Sequence, residues 1–393
     1  MTAASAPKSI KSGAINIMNW LAQRFELSRG GESSNVRSME GLRGFAVFLV
    51  FLVHYTTLVE PWIPIDSSTM RIANALHTIG NSGVDLFFVL SGYLIYGSLF
   101  NRKQGFARFI TRRIERIYPT FTVVFVVYLC LSFVFRSESK LPAEFSDALL
   151  YLTENFLLLP GLFPIEPMIT VAWSLSYEMF YYLAIPIVIE TMRIRERTSL
   201  WRITFFLFLT ILVWVCCAAV NGPIRMVMFL AGILLFETMA IRDKAAKDFS
   251  YLGLLALVAG LLGMLLPTSG STGYAAKIGI LFFSFFFLCL TCFRSPSGWL
   301  ARSFCWTPLR WLGNMSYSYY LIHGLALKAA FLILSTLLSG AEFGAWFFWA
   351  LLPLMFLVTI PPATALFLAI ERPFSLTPSR TRTRASGPLP GEA

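Results

Sequence analysis

The sequence predicts an all-α, polytopic membrane protein of about ten transmembrane helices with both termini cytoplasmic. Three observations carry that prediction. Hydrophobic residues make up 56% of 393 residues and charged residues 13%, about half the charged fraction of an ordinary soluble domain. The apolar residues fall in runs long enough to cross about 30 Å of hydrocarbon. Most of the 32 lysines and arginines stand in short clusters between alternate runs, which is how cytoplasmic loops are marked.

Taken in order, residues 1–37 read as a cytoplasmic segment. Within it INIMNWLAQRF, 15–25, has the amphipathic pattern of a helix on the membrane surface. It lacks the apolar core and cleavage motif of a signal peptide. The expected spans lie near 41–59, 80–100, 118–135, 171–192, 201–220, 223–240, 250–266, 274–293, 315–338 and 345–370. The longest outer connection, 136–170, carries Glu138, Glu144, Asp147, Glu154 and Glu166 among several prolines. A connection of that length is expected to fold over the outer mouth of the bundle. The membrane domain therefore covers 38–374. The tail 375–393, rich in Pro, Ser and Arg, is expected to be disordered and cytoplasmic.

A net charge of +11 raises the question of nucleic acid, but basic clusters set between apolar runs serve membrane orientation and exclude that class. Five of the six cysteines lie in apolar stretches and Cys305 lies in a basic loop, so neither a disulfide framework nor a metal site is expected. The rival functional class is a glycolipid or lipid-linked sugar transporter, for which the chain lacks the internal repeat that such folds commonly carry.

Arg43 and His54 are the residues most out of place. They are separated by GFAVFLVFLV, and ionisable groups inside such a span cost about 2.5 to 3.5 kcal/mol each on insertion scales, so they mark functional interiors. On one helix they stand about 16 Å apart. Neutral imidazole takes a proton from a hydroxyl and returns it, which makes His54 a candidate general base. His323 in the ninth span is a second buried candidate, and His77 sits in an outer loop. Asp85 and Glu178 are intramembrane carboxylates in Ser- and Tyr-rich surroundings; each either orients a histidine or pins two helices. Glu237 reads as interfacial. Arg108, Arg112 and Arg116 share one helical face beside Arg113, which suits either lipid headgroups or the phosphates of a donor.

Five blocks stand in order, SMEGLRG leading into Arg43-x10-His54, GVDLFFVLSGYLI, RRIERIYP, WSLSYEMFYY and WLGNMSYSYYLIHG, within a resemblance that spans about residues 38 to 374. In these the chain resembles the membrane acyltransferase-3 family. The resemblance implies a bacterial inner-membrane, multi-pass O-acyltransferase. It would pass an acyl group, acetyl above all, from cytoplasmic acyl-CoA to a hydroxyl of a surface polysaccharide, lipid-linked glycan or glycoside. It implies that His54 is the catalytic base, with Asp85 or Glu178 orienting it. Arg43, Arg112, Arg113 and Arg116 would hold the CoA phosphates, and Trp173, Ser316, Tyr317 and His323 would line the substrate site. The implied partners are membrane lipids and the glycan acceptor, with no metal and no nucleic acid.

Overall fold

The computed structural model describes residues 19–27, 34–65, 67–101, 105–241, 248–338 and 343–376. Among these there are α-helices and no β-strand. In chain order they are α1 (19–25), α2 (Ser34–Val59), α3 (Ser68–Gly80), α4 (Ser82–Asn101) and α5 (Phe106–Val134). Then follow α6 (Phe145–Phe156), α7 (Trp173–Thr191), α8 (Ser199–Val220), α9 (Val227–Ala240), α10 (Ser250–Gly263) and α11 (Gly270–Arg294). Two short helices, α12 (Trp299–Phe304) and α13 (Thr307–Asn314), lead into α14 (Ser316–Leu337) and α15 (Trp346–Leu366). A π-helical turn, Phe367–Leu376, extends α15. The expectations for 1–18 and for the tail from 377 onward lie outside the described residues.

Eight helical stretches among the described residues are long and apolar enough to cross a membrane. The expected sixth and seventh spans correspond to α9 and α10, but each has only 14 residues, about 21 Å of helix, less than the hydrocarbon thickness. Gly222 and Pro223 delay the start of α9, and α10 stops at Gly263 ahead of Pro267. Side-chain caps fix some starts: Ser67 accepts the Met70 N–H at 3.0 Å, and Thr198 accepts that of Trp201 at 3.3 Å.

α2 is the central post. Its residues enter both apolar clusters of the interior, one shared with α4, α7, α9 and α11, the other with α14 and α15. In lipid the hydrophobic effect does not drive helices together, so close backbone packing carries the association. Gly41 and Gly44 of α2 meet Gly313 and the carbonyls of Phe304 and Leu309; a Cβ built on Gly41 would fall 1.6 Å from the Phe304 oxygen. Gly92 of α4 and Gly232 of α9 do the same for that pair, with 2.1 and 2.0 Å to backbone oxygens.

α5 runs unbroken from Phe106 through the basic stretch, in keeping with the shared helical face of Arg108, Arg112 and Arg116. Other expectations are corrected. The outer connection 136–170 does not merely cover the bundle: α6 turns back along α5, and Phe156 packs on Tyr118, Phe121 and Phe125 near the middle of that helix. Asn155 holds the return strand, accepting the Met168 N–H at 2.7 Å and donating to the Glu166 carbonyl at 3.3 Å. The described end of the amphipathic segment docks on protein, with Phe25 stacked on Trp311 and Phe367. Beside it, Glu26 pairs with Arg310 at 2.5 Å. Finally, Glu237 is fully buried, paired with Arg202 at 2.8 Å and hydrogen-bonded to Tyr96; it is not interfacial. His77 lies on α3, its Nδ1 3.3 Å from the hydroxyls of Thr56 and Thr57.

Candidate active site

Two polar layers stand along α2. The lower one forms around Arg43, nine residues into the helix, whose Nε and Nη2 both donate to Ser316 Oγ at 3.1 and 2.9 Å. Ser316 is the first residue of α14, so this contact sets the height of α14 against α2. Across a narrow cavity stands Glu178 of α7, which accepts from Ser91 Oγ of α4 at 3.0 Å. Tyr317 and Tyr320 complete the wall. The Tyr317 hydroxyl donates to the Ile117 carbonyl of α5 at 2.8 Å. That of Tyr320 lies 2.8 Å from Ser174 Oγ and 3.1 Å from the Val171 carbonyl. Four helices thus each contribute a hydroxyl or charge to one lined space.

Below it lies a group that sequence reasoning missed. Glu371, in the π-helical turn, is fully buried and binds Arg116 at 2.7 Å. Its other oxygen accepts from the Ser318 N–H at 3.0 Å and from Ser318 Oγ at 2.6 Å. Since Ser318 is in the first turn of α14, this carboxylate caps that helix from a distant part of the chain and favours its positive end. One glutamate therefore ties Arg116 to the helix that starts with Ser316. Of the other arginines of α5, Arg113 donates to Ser98 Oγ at 3.0 Å and stacks over Phe109 and Tyr182. Arg112 faces outward.

The upper layer is the histidine pair. His54 and His323 approach edge to face, ring centroids 4.9 Å apart and planes at 71°. His323 is completely buried, and its Nδ1 lies 2.9 Å from the carbonyl oxygens of both Tyr319 and Tyr320. Aromatic rings pack around them, among them Tyr319 against His323 at 5.1 Å.

The chain's family affiliation accounts for this arrangement. Residues 36–368, most of the sequence, match a family described as an acyltransferase domain. The chain belongs to the acyltransferase-3 family. Among curated relatives it is 25% identical over 320 residues to the peptidoglycan O-acetyltransferase OatA of Listeria monocytogenes, covering 73% of this chain and 49% of that one. It is 29% identical over 169 residues to the acyltransferase MdmB of Streptomyces mycarofaciens, 42% of each chain. A Haemophilus influenzae protein is 35% identical over 142 residues, covering 33% of this chain and 58% of its own. The chain spans about half the length of the curated relatives it matches. No solved structure matches it significantly.

The acyltransferase-3 blocks read from sequence converge only in part. Arg43, Glu178, Ser316 and Tyr317 share the cavity, and His54 and His323 share the layer above. Asp85 is elsewhere: it pairs with Arg225 at 2.9 Å, and that guanidinium also reaches the Asn81 carbonyl at 2.8 Å and lies over Trp173. Neither Asp85 nor Glu178 hydrogen-bonds His54 among the described residues, so the expected carboxylate beside that ring is replaced by His323. Trp173 is packed edge-on against Phe88 and Tyr177. Among the described residues no group of three or more His, Cys, Asp or Glu gathers as metal ligands would.

Proposed function

We propose that this acyltransferase-3 protein is an O-acetyltransferase of the bacterial inner membrane. It takes the acyl group of acyl-CoA from the cytoplasmic side and places it on a hydroxyl of a surface glycan, lipid-linked glycan or glycoside. The observation that carries the reading is the vertical order on α2: a guanidinium facing a hydroxyl-lined cavity, then, eleven residues higher, a histidine paired with a second histidine. The half-buried Arg43 suits a phosphate or polar arm, since a planar guanidinium binds such oxygens in a fixed fork. Arg112 and Arg113 lie further toward the N-terminus of α5 and suit the outermost phosphates. Arg116, already compensated by Glu371, suits a positioning part. The arm of the donor would then run the roughly 16 Å from Arg43 to His54.

At His54 the acceptor hydroxyl loses its proton to the imidazole as its oxygen attacks the thioester carbon. The C–O bond forms, the C–S bond breaks, and the imidazolium returns the proton to the departing CoA thiolate. General-base help of this kind contributes about 10²- to 10⁴-fold. The Glu178–Ser91 pair and Tyr320 supply acceptors and donors of the sort that hold sugar hydroxyls. The 25% identity to a peptidoglycan O-acetyltransferase supports acetyl and a glycan acceptor over other choices.

Release of CoA thiol by protein purified in lipid discs, with labelled acetyl-CoA and glycan fragments, tests the reading. Turnover with label on the glycan is expected. A transporter of glycolipid would leave acetyl-CoA intact. The orientation is tested separately. Cysteines introduced by Ser5→Cys and Ser386→Cys, in a cysteine-free background, should resist an impermeant thiol reagent added outside intact cells.

A further inference from the structure

The buried Nε2 of His323 has no hydrogen-bond partner among the described residues, although a buried polar atom left unpaired costs about 1 to 3 kcal/mol. Its Nδ1 explains which role that atom has. Two backbone carbonyls, those of Tyr319 and Tyr320, lie 2.9 Å from Nδ1. Carbonyl oxygens only accept, so Nδ1 carries the proton. A neutral ring protonated there presents a lone pair at Nε2. A neighbouring ring is that of His54, edge to face with its centroid 4.9 Å away. At that separation a ring nitrogen of one imidazole comes within hydrogen-bond reach of the other after a modest rotation. His54 is the more exposed of the two, so it is the ring with room to turn. Hydrogen bonds of resting sites are often misaligned and tighten when substrate is bound.

We infer that His323 is the positioning residue of His54: with its Nδ1–H fixed by the Tyr319 and Tyr320 carbonyls, its Nε2 accepts a ring N–H of His54 and leaves the other His54 nitrogen unprotonated toward the acceptor hydroxyl. This rests on the proposed function for what His54 does, but the pairing itself is a property of the two rings. It replaces the carboxylate of a typical triad by a neutral acceptor. In a membrane interior that substitution avoids an additional buried charge, which would cost far more to desolvate than a neutral ring. The proton accounting is simple. The N–H between the rings stays with His54, and only the outward nitrogen gains and loses a proton in each cycle.

Three substitutions separate positioning from packing. In His323→Gln the side-chain amide oxygen can stand where Nε2 was; in His323→Asn only the Nδ1 place is filled; in His323→Phe the shape is kept without an acceptor. His323→Asn and His323→Phe should lose about 10- to 100-fold in kcat, the usual effect of removing a partner that orients a catalytic ligand. The KM for acetyl-CoA should not move, and His323→Gln should retain activity near wild type. With only three histidines in the chain, ring-¹⁵N-labelled protein gives an assignable nitrogen spectrum. It should contain one neutral ring protonated at Nδ1, absent from all three variants, and His54 should lose its hydrogen-bonded N–H signal in Phe but keep it in Gln. Equal kcat for Phe and Gln, or a His323 ring protonated at Nε2, overturns the inference. Wild-type protein that leaves acetyl-CoA intact overturns the proposed function instead, while the nitrogen spectra still decide the pairing.

Discussion

Arg43 and His54 occupy one helix, yet they sit in opposite kinds of surroundings. Around Arg43 the neighbours are Ser316, Ser91, Glu178 and, one step away, the Arg116–Glu371 pair. Around His54 stands the second histidine, itself stacked on Tyr319. The lower layer is dense with fixed charges and donors, as is needed to hold an anionic or polar ligand in place. The upper layer carries no charged partner on its histidines among the described residues, so a proton moved there is not captured by a nearby carboxylate. On the proposed function, holding and reacting fall to different heights of the same post.

Variants that affect one layer and spare the other sharpen this contrast. The largest expected effect is at the top: His54→Ala should lower kcat by about 10²- to 10⁴-fold, with the protein still folded by size-exclusion and thermal unfolding. Next comes Glu371→Gln, which leaves the Arg116 cation buried without its counter-charge. Breaking a buried pair from one side costs about 3 to 5 kcal/mol, to be read as a clear fall in the unfolding temperature in detergent. Arg116→Met combined with Glu371→Leu should recover stability. Arg43→Lys keeps the charge but loses the fork, so it should raise the KM for acetyl-CoA more than it lowers kcat. Replacing Arg112 and Arg113 together by Gln should raise that KM and leave the acceptor KM unaltered; calorimetry showing unchanged donor binding would return these two arginines to lipid contact. The smallest effect belongs to His77→Ala, whose hydroxyl contacts are weak at 3.3 Å: activity within about twofold of wild type, as for an ordinary exposed hydrogen bond.

What the sequence made visible follows from how local each signal is. A charge and a histidine eleven residues apart in hydrocarbon announce one helix with two heights, and the apolar runs announce most spans. The Arg43–Ser316 contact joins residues 273 positions apart, and no spacing rule reaches that far; only the resemblance placed them together. Glu237 reads as interfacial because it stands near the end of its span, and Glu371, beside Arg372 at the end of another, is not singled out by the sequence at all. Burial of each depends on a partner from another helix. The 136–170 connection reads as an outer cover because it is too long for a tight turn, whereas its path is decided by Asn155 and by Phe156 finding α5. Asp85 was assigned to His54 because both are intramembrane and polar; Arg225 of a short connection takes it instead.

The glycine contact between α2 and α13 has a consequence for choice of donor. Arg43 and His54 stand on one helix, so the interval between guanidinium and imidazole is a fixed gauge set by the helix rise, and backbone resting on backbone at Gly41, Gly44 and Gly313 holds that helix at one height against its neighbours. An acyl carrier whose arm is shorter than that gauge stops below the histidines even when its phosphates are fully seated. With the donor seated as proposed, selection among carriers acts through length, ahead of any fit to the acyl group. Acetyl phosphate, which has a phosphate and an acetyl group but no arm between them, should bind without reacting.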